Sequence, residues 1–144
     1  MGTTLVAVMI RGKRVTVVNV GDSRCYYVNK KGISQVTQDH SLVQMMIAKG
    51  ELSPEQAKNY PGKNLITRAI GTEPVVMCDF FHLKVDKGDC LLLCSDGLSN
   101  MIDDQEILFE VAHGADKQQC CERLLDIAKH RGAPDNVTSV LVAI

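Results

Sequence analysis

Three aspartates, Asp22, Asp96 and Asp135, each lie beside an apolar, β-prone run of this 144-residue sequence. Asp22 follows one run in VGDSR, Asp96 follows CLLLC in CSDGL, and Asp135 precedes the last run in APDNVT. A carboxylate at the mouth of a buried strand is costly unless it is paired or bound to a metal. Carboxylate oxygens gathered at the rim of a sheet suit Mg²⁺ or Mn²⁺. The pattern therefore predicts a divalent-metal site built from strand ends.

Ordinary turns are the alternative explanation of the same residues. Asp and Asn side chains bond to nearby backbone groups in Asx turns, and a glycine after Asp96 is typical of a tight turn. Any one of the three aspartates fits a turn on its own. Their shared position beside buried strands favours a common role, and from the residues alone both interpretations stay open.

The composition indicates a single globular domain over residues 1–144. Apolar residues make up 45% of the chain and the net charge is −1. Such a balance, with Lys and Arg scattered, gives no reason to expect a nucleic-acid partner or an anionic membrane surface. We find no signal-peptide pattern and no apolar stretch of membrane-spanning length. The expected location is the cytoplasm.

Six cysteines lie inside apolar segments, at positions 25, 78, 90, 94, 120 and 121. Without a secretion signal they are expected to be reduced thiols that pack as small hydrophobic side chains. A zinc site is the alternative. No CxxC pair is present, however, and Cys90 and Cys94 would lie on one strand.

The first part of the chain has the pattern of strands, followed by helices that begin near His40. Apolar, β-branched runs joined by short polar turns predict an antiparallel meander of four strands, at residues 5–10, 15–20, 24–28 and 33–37. Capping patterns at Ser41 and at Ser53-Pro54 then predict two short helices before Lys63.

The second part alternates strands and helices. Two further strands are predicted at 74–85 and 89–94, and a last one at 137–144. Helices are predicted at 103–112 and 116–130, between the strand at 89–94 and the last strand. The pattern predicts an α+β fold with helices on one face of an antiparallel sheet.

Six motifs occur in the order and approximate spacing of one enzyme family: GTT from Gly2, VNVGDSRCY, VTQDHSLV, NLITRAIG, LLLCSDGLSNMI and DNVTSVLVA. The chain thus resembles the metal-dependent protein serine/threonine phosphatases of type 2C, in their bacterial form. The resemblance implies an antiparallel β-sandwich flanked by helices. It also implies hydrolysis of phosphoserine and phosphothreonine in proteins, and a cognate serine/threonine kinase as partner.

The resemblance implies a centre of two or three Mn²⁺ or Mg²⁺ ions whose bridging water attacks phosphorus directly. By position in the motifs, Asp96 and Asp135 resemble ligands of one catalytic metal. Asp22 resembles a ligand of a third, weaker metal that it shares with Asp96. Asn136 and Thr138 are expected to orient the loop that carries Asp135.

Other motif residues are expected to support this centre. Gly97 is expected to allow a backbone conformation that a side chain would hinder. Residues 41–63 resemble the family's flap, an insertion beside the site that affects substrate access. For His40 and Arg68, which also lie in motifs, we favour structural hydrogen bonding at the base of the flap.

Two parts of the family pattern are absent from the 144 residues. The sequence has no Asp-Gly-x-Gly-Gly stretch, whose Asp bridges the catalytic metals, and no counterpart of the Arg that holds the substrate phosphate. We therefore expect a partial phosphatase domain that is inactive or nearly so by itself. Unpaired strand edges also predict dimerisation or strand exchange.

A pseudophosphatase is the competing hypothesis: a binding module that keeps the fold and regulates a partner without catalysis. An Asp-Gly-x-Gly-Gly stretch upstream in the same reading frame would favour the enzyme, and its absence would favour the binding module.

Overall fold

The computed structural model describes all residues from 1 to 144. Its seven strands are β1 (Leu5–Arg11), β2 (Arg14–Val20), β3 (Arg24–Asn29), β4 (Gly32–Gln35), β5 (Asp79–Lys84), β6 (Cys90–Cys94) and β7 (Ser139–Ala143). They form two antiparallel sheets, one with the order β1-β2-β5 and one with the order β4-β3-β6-β7. The sandwich implied by the family resemblance is confirmed, and the single sheet expected from the strand pattern is wrong.

The five helices are α1 (Leu42–Ala48), α2 (Pro54–Ala57), α3 (Asp96–Ser99), α4 (Asp104–His113) and α5 (Lys117–His130). The predicted caps are present: Ser41 accepts from the backbone N–H of Gln44, and Ser53 and Asp103 each form a reciprocal capping box. Such caps satisfy backbone donors that a helix start leaves free. No helix combines the length and apolar character needed to cross a bilayer.

The predicted four-strand meander is wrong, because β2 and β3 belong to different sheets. The chain passes from one sheet to the other at Gly21, Asp22 and Ser23. Gly21 has a φ of +106°, and a Cβ there would lie 2.5 Å from Thr4 Cγ2. A turn signal in the sequence does not distinguish a hairpin from a change of sheet, so the local pattern could not reveal this crossing.

Two apolar layers build the core. Between the sheets lie Val15, Val17, Cys25, Val85 and Leu91. Beneath α4 and α5 lies a larger cluster on the opposite face of the four-stranded sheet, made of Tyr26, Val28, Cys90, Leu92, Cys94, Leu98, Ile102, Ile107, Val111, Leu124 and Ala128. Because β6 contributes to both layers, it is an inner strand with both faces covered, as its apolar run predicts.

Several predicted strands are shorter in the structure. The strand predicted from residue 74 begins only at Asp79. The fourth strand ends at Gln35, before Thr37, whose hydroxyl instead accepts from the backbone N–H of Cys25 at 3.1 Å. The strand β1 is an exposed edge of its sheet, although its continuous apolar run is typical of a buried strand.

All six cysteines are free thiols, and four of them are buried. Burial raises the pKa of the Cys25 and Cys94 thiols to about 12. A thiol with so high a pKa is neither a good nucleophile nor a good metal ligand at neutral pH. These cysteines pack as small apolar side chains.

Candidate metal centre

Strand register brings Asp22 and Asp96 to the same edge of the four-stranded sheet. The neighbouring strands β3 and β6 pair Arg24 with Cys94. Asp22 precedes Arg24 by two residues and Asp96 follows Cys94 by two, so in antiparallel strands both carboxylates leave the sheet at one end. Both line one cleft of about 1080 Å³. The structure therefore joins two carboxylates that are 74 positions apart in the chain.

The surroundings of Asp22 oppose the negative charge of its carboxylate. Burial, followed by repulsion from Asp96 and Asp39, raises the pKa of Asp22 from 3.8 to about 6. A site that disfavours its own negative charge gains free energy when a cation enters. The donors are oxygens only, which fits a hard divalent ion such as Mn²⁺ or Mg²⁺ and does not fit zinc.

Asp135 lies on the adjoining loop and is exposed. Its Oδ1 accepts from the backbone N–H of Asn136 at 2.7 Å, a local contact typical of a turn. Since β7 pairs Ser139 with Cys94, this loop leaves the sheet at the same edge as Asp96. Asp135 is absent from the cleft lining, and the chain holds no group of three or more His, Cys, Asp or Glu side chains arranged to bind a metal.

Backbone contacts join the Asp135 loop to the start of α3. The N–H of Ser95 donates to the Thr138 carbonyl at 3.0 Å, and the N–H of Thr138 donates to Ser95 Oγ at 3.0 Å. Asn136 contributes its carbonyl, which lies 2.2 Å from where a Cβ on Gly97 would stand. Thr138 and Asn136 thus meet α3 through backbone atoms, and Ser95 is a supporting residue that motif comparison did not single out.

The close approach of Asn136 explains why residue 97 is a glycine. Gly97 lies in helix α3 and is not among the residues with positive φ. The hindrance that was expected for a side chain at Gly97 therefore does not come from a positive φ. A side chain is excluded there by lack of space.

All three guanidinium nitrogens of Arg24, which also lies in this cleft, donate to side chains of the chain itself. Nε and Nη2 donate to the carboxylate of Asp39 at 3.0 and 2.7 Å, and Nη1 donates to the Tyr26 hydroxyl at 2.9 Å. Such bidentate pairing fixes the plane of an arginine. Arg24 thus connects the start of β3, next to the loop that carries Asp22, with Asp39.

Residues of the predicted flap line the same cleft as Asp22 and Asp96. Helices α1 and α2 contribute to the lining, and so do Lys58 and Lys63. Asn100, directly after α3, donates from Nδ2 to Asn64 Oδ1 at 3.2 Å and so links α3 to the chain just after the predicted flap. The cleft lining thus contains both lysines and carboxylates.

His40 and Arg68, which flank the predicted flap in sequence, meet at Asp79. His40 Nε2 lies 2.7 Å from Asp79 Oδ2, and Arg68 Nη1 lies 3.0 Å from Asp79 Oδ1. The hydrogen bond with His40, together with Arg68, holds the pKa of Asp79 below its ordinary value. The structural hydrogen bonding favoured for both residues is confirmed.

The two-sheet fold and the carboxylates at the sheet edge point to one family of proteins. Residues 1–127 match the family model described as Protein phosphatase 2C, and the chain belongs to that family. It is 40% identical over 142 residues to the serine/threonine phosphatase stp of Listeria welshimeri, covering 99% of this chain and 56% of that protein. It is 38% identical over 144 residues to the serine/threonine protein phosphatase PstP of Mycobacterium tuberculosis, covering all of this chain and 28% of that protein.

Solved structures agree with this assignment. The serine/threonine phosphatase Stp1 from Staphylococcus aureus superimposes with a TM-score of 0.96 at 38% identity, over 100% of this chain and 57% of that chain. The catalytic domain of PstP in complex with two manganese ions gives a TM-score of 0.87 at 36% identity, over 98% and 58%. The chain thus spans about half the length of most of these relatives.

Proposed function

We propose that this chain is part of a metal-dependent phosphatase that removes phosphate from phosphoserine and phosphothreonine in proteins. The observation that carries the proposal is the meeting of Asp22 and Asp96 at one sheet edge, with the pKa of Asp22 raised to about 6. With Asp135 on the adjoining loop, they would supply oxygen ligands to Mn²⁺ or Mg²⁺. The family assignment and the manganese-bound relative support this choice of metal.

The bound metal would lower the pKa of a coordinated water and stabilise charge on the phosphoryl group. Such a water would add to phosphorus as the bond from phosphorus to the serine or threonine oxygen breaks, and one proton of the water would pass to that oxygen, which gives phosphate and the free hydroxyl. Residues 41–63 would act as a flap that controls access to the cleft. A serine/threonine kinase would supply the phosphorylated substrate. Six free thiols fit a reducing, cytoplasmic location.

We further propose that the 144 residues by themselves turn over substrate very slowly. No three His, Cys, Asp or Glu side chains are arranged to hold a metal, and the guanidinium of Arg24 is paired with Asp39. A binuclear centre needs more ligands, and a misplaced nucleophile lowers the rate by orders of magnitude. The same observations favour the second candidate, a pseudophosphatase that binds a cation and a partner without catalysis.

The test measures Mn²⁺ binding by electron paramagnetic resonance and hydrolysis of a phosphothreonine peptide in millimolar Mn²⁺. Asp96→Asn is compared with Asp126→Asn, a control that removes an exposed carboxylate on α5, away from the cleft. We expect wild type and Asp126→Asn to bind Mn²⁺, and Asp96→Asn to bind it at least tenfold more weakly. Equal binding by all three would refute the metal site.

The hydrolysis arm separates the two candidate functions. No turnover with intact Mn²⁺ binding fits a partial site or a pseudophosphatase. Adding the segment that the longer relatives have beyond the matched region then discriminates between them, because only the enzyme gains Mn²⁺-dependent turnover. Turnover by the 144 residues themselves, lost in Asp96→Asn, would contradict the slow-turnover proposal and support the enzyme.

A further inference from the structure

His40 makes two hydrogen bonds to the loop that carries Asp22. The backbone N–H of His40 donates to the Gly21 carbonyl at 2.9 Å. In return, the backbone N–H of Gly21 donates to Nδ1 of the His40 ring at 2.9 Å. His40 is only 7% exposed, so both bonds are shielded from water. The peptide groups on either side of Gly21 are thereby tied to one buried side chain.

The other ring nitrogen fixes which tautomer is present. Because Nδ1 accepts from Gly21, a neutral His40 ring carries its proton on Nε2 and donates it to Asp79, 2.7 Å away. Arg68 donates to the second oxygen of Asp79 and to the Met77 carbonyl, which holds the carboxylate in place. A carboxylate behind an imidazole commonly sets its orientation and the proton-free nitrogen.

Gly21 is the point at which the loop most needs such support. Its φ of +106° belongs to the region that glycine tolerates, and glycine has the freest backbone in the chain. No side chain on residue 21 anchors the peptide that leads into Asp22. Rotation of that peptide would move the Asp22 carboxylate relative to Asp96.

We propose that His40 is a positioning residue for Asp22: through Gly21 it fixes the approach of the Asp22 carboxylate to the metal that it shares with Asp96. This inference rests on the proposed metal site. His40 also directly precedes Ser41, the N-cap of α1, and its carbonyl accepts from the Thr67 N–H at 2.9 Å. The two ends of the flap segment therefore meet at His40, the residue that is hydrogen-bonded to the loop that carries Asp22.

Two amide substitutions separate the two ring contacts. His40→Asn places an amide oxygen near Nδ1, so it keeps an acceptor for Gly21 but does not reach Asp79. His40→Gln places an amide group near Nε2, so it keeps the contact with Asp79 but offers no acceptor to Gly21. Both variants lose a similar amount of buried ring, and each serves as the packing control for the other.

We expect His40→Gln to bind Mn²⁺ about tenfold more weakly than wild type, a size typical of residues that orient metal ligands. His40→Asn should stay within about threefold of wild type. Hydrogen exchange of the Gly21 amide, followed by NMR without metal, should accelerate in His40→Gln and not in His40→Asn. In an Asp22→Asn background, His40→Gln should cause no further loss of Mn²⁺ affinity.

Equal losses in the two variants, or a loss that persists in the Asp22→Asn background, would overturn the positioning role. The background also separates this inference from the proposed function. If Asp22→Asn weakens Mn²⁺ binding and His40→Gln does not, only the positioning role fails. If Asp22→Asn leaves Mn²⁺ binding unchanged, Asp22 is not a ligand, and both proposals fail at this residue.

Discussion

Asp22 is a residue whose present environment opposes its own charge. It is half-buried in the loop between the sheets, with Asp96 and Asp39 near enough to raise its pKa. An ordinary surface aspartate would avoid such surroundings. Perturbed pKa values of this kind cluster at functional sites, where the charge is needed by something that binds.

We expect Asp22→Asn to stabilise the metal-free chain at pH 8 and to have little effect at pH 4. The folded pKa of Asp22, about 6, lies above its ordinary value of 3.8. Its contribution to stability is therefore fully present below pH 3.8 and is lost as the pH rises through 6. After discounting for solvent screening of a half-exposed group, removing this penalty gains about 1 kcal/mol at pH 8.

Urea unfolding in a chelating buffer at pH 4 and pH 8 measures this difference. Asp126→Asn is the control, because it removes an exposed carboxylate far from the cleft. Millimolar Mn²⁺ should reverse the order at pH 8, since wild type gains stability by binding the ion and Asp22→Asn gains less. A gain of equal size at both pH values would show that the carboxylate charge is not the cause.

At the scale of elements, local signals in the sequence predicted well what is decided locally. Capping residues at Ser41, Ser53 and Asp103 predicted the starts of three helices, because a cap depends only on residues within one turn. The apolar run of β6 predicted an inner strand, because such a run is a property of consecutive residues. The change of sheet at Gly21 was missed because it depends on where β1 and β5 pair, which is not encoded near Gly21.

The candidate site was predictable to a similar degree. Asp22 and Asp96 were predicted as metal ligands from their position at strand ends and from the motifs, and strand register explains why they lie at one sheet edge. Asp135 was found in the same way, yet the structure places its carboxylate in a local turn contact outside the cleft lining. Ser95 and Asp79 carried no recognisable signal, since their importance comes from partners distant in sequence.

Helix α3 and the Asp135 loop form one unit, and Gly97→Ala should break it. The added Cβ would lie 2.2 Å from the Asn136 carbonyl oxygen, a backbone atom that cannot swing away. We expect a loss of about 2 kcal/mol in the free energy of unfolding, the usual scale for overpacking. Mn²⁺ binding should weaken as well, because the loop that carries Asp135 must shift away from Asp96.

Thermal unfolding of Gly97→Ala beside Ser99→Ala tests the contact. Ser99 lies in the same short helix and its side chain is partly exposed, so its truncation controls for a change of helix composition. The expected result is a clear drop in Tm for Gly97→Ala alone. Equal Tm values for the two variants would mean that the loop accommodates the methyl group.

On the scale of the whole molecule, the two sheets are covered unequally. The four-stranded sheet has α4 and α5 on its outer face, whereas no helix covers the outer face of the three-stranded sheet. Alternation along the strands turns Val8 and Phe81 toward the core and Met9 and Phe80 outward. Phe80 is 61% exposed and Met9 is 52% exposed. A row of apolar side chains on a sheet with an open edge favours association.

We therefore expect the 144-residue chain to self-associate at micromolar concentration, and Phe80→Lys to reduce that association by placing a charge on the apolar face. Phe109→Lys is the matched control: Phe109 is also exposed, at 54%, but it lies on α4 and stacks on His113. Light scattering coupled to gel filtration measures the mass of each variant across a concentration series. Association lost in Phe80→Lys and kept in Phe109→Lys identifies the outer sheet face as the contact. A wild-type chain that runs as a sharp monomer at every concentration would contradict the expected self-association. Equal effects of Phe80→Lys and Phe109→Lys would show that the association depends on exposed apolar surface in general and not on the outer sheet face.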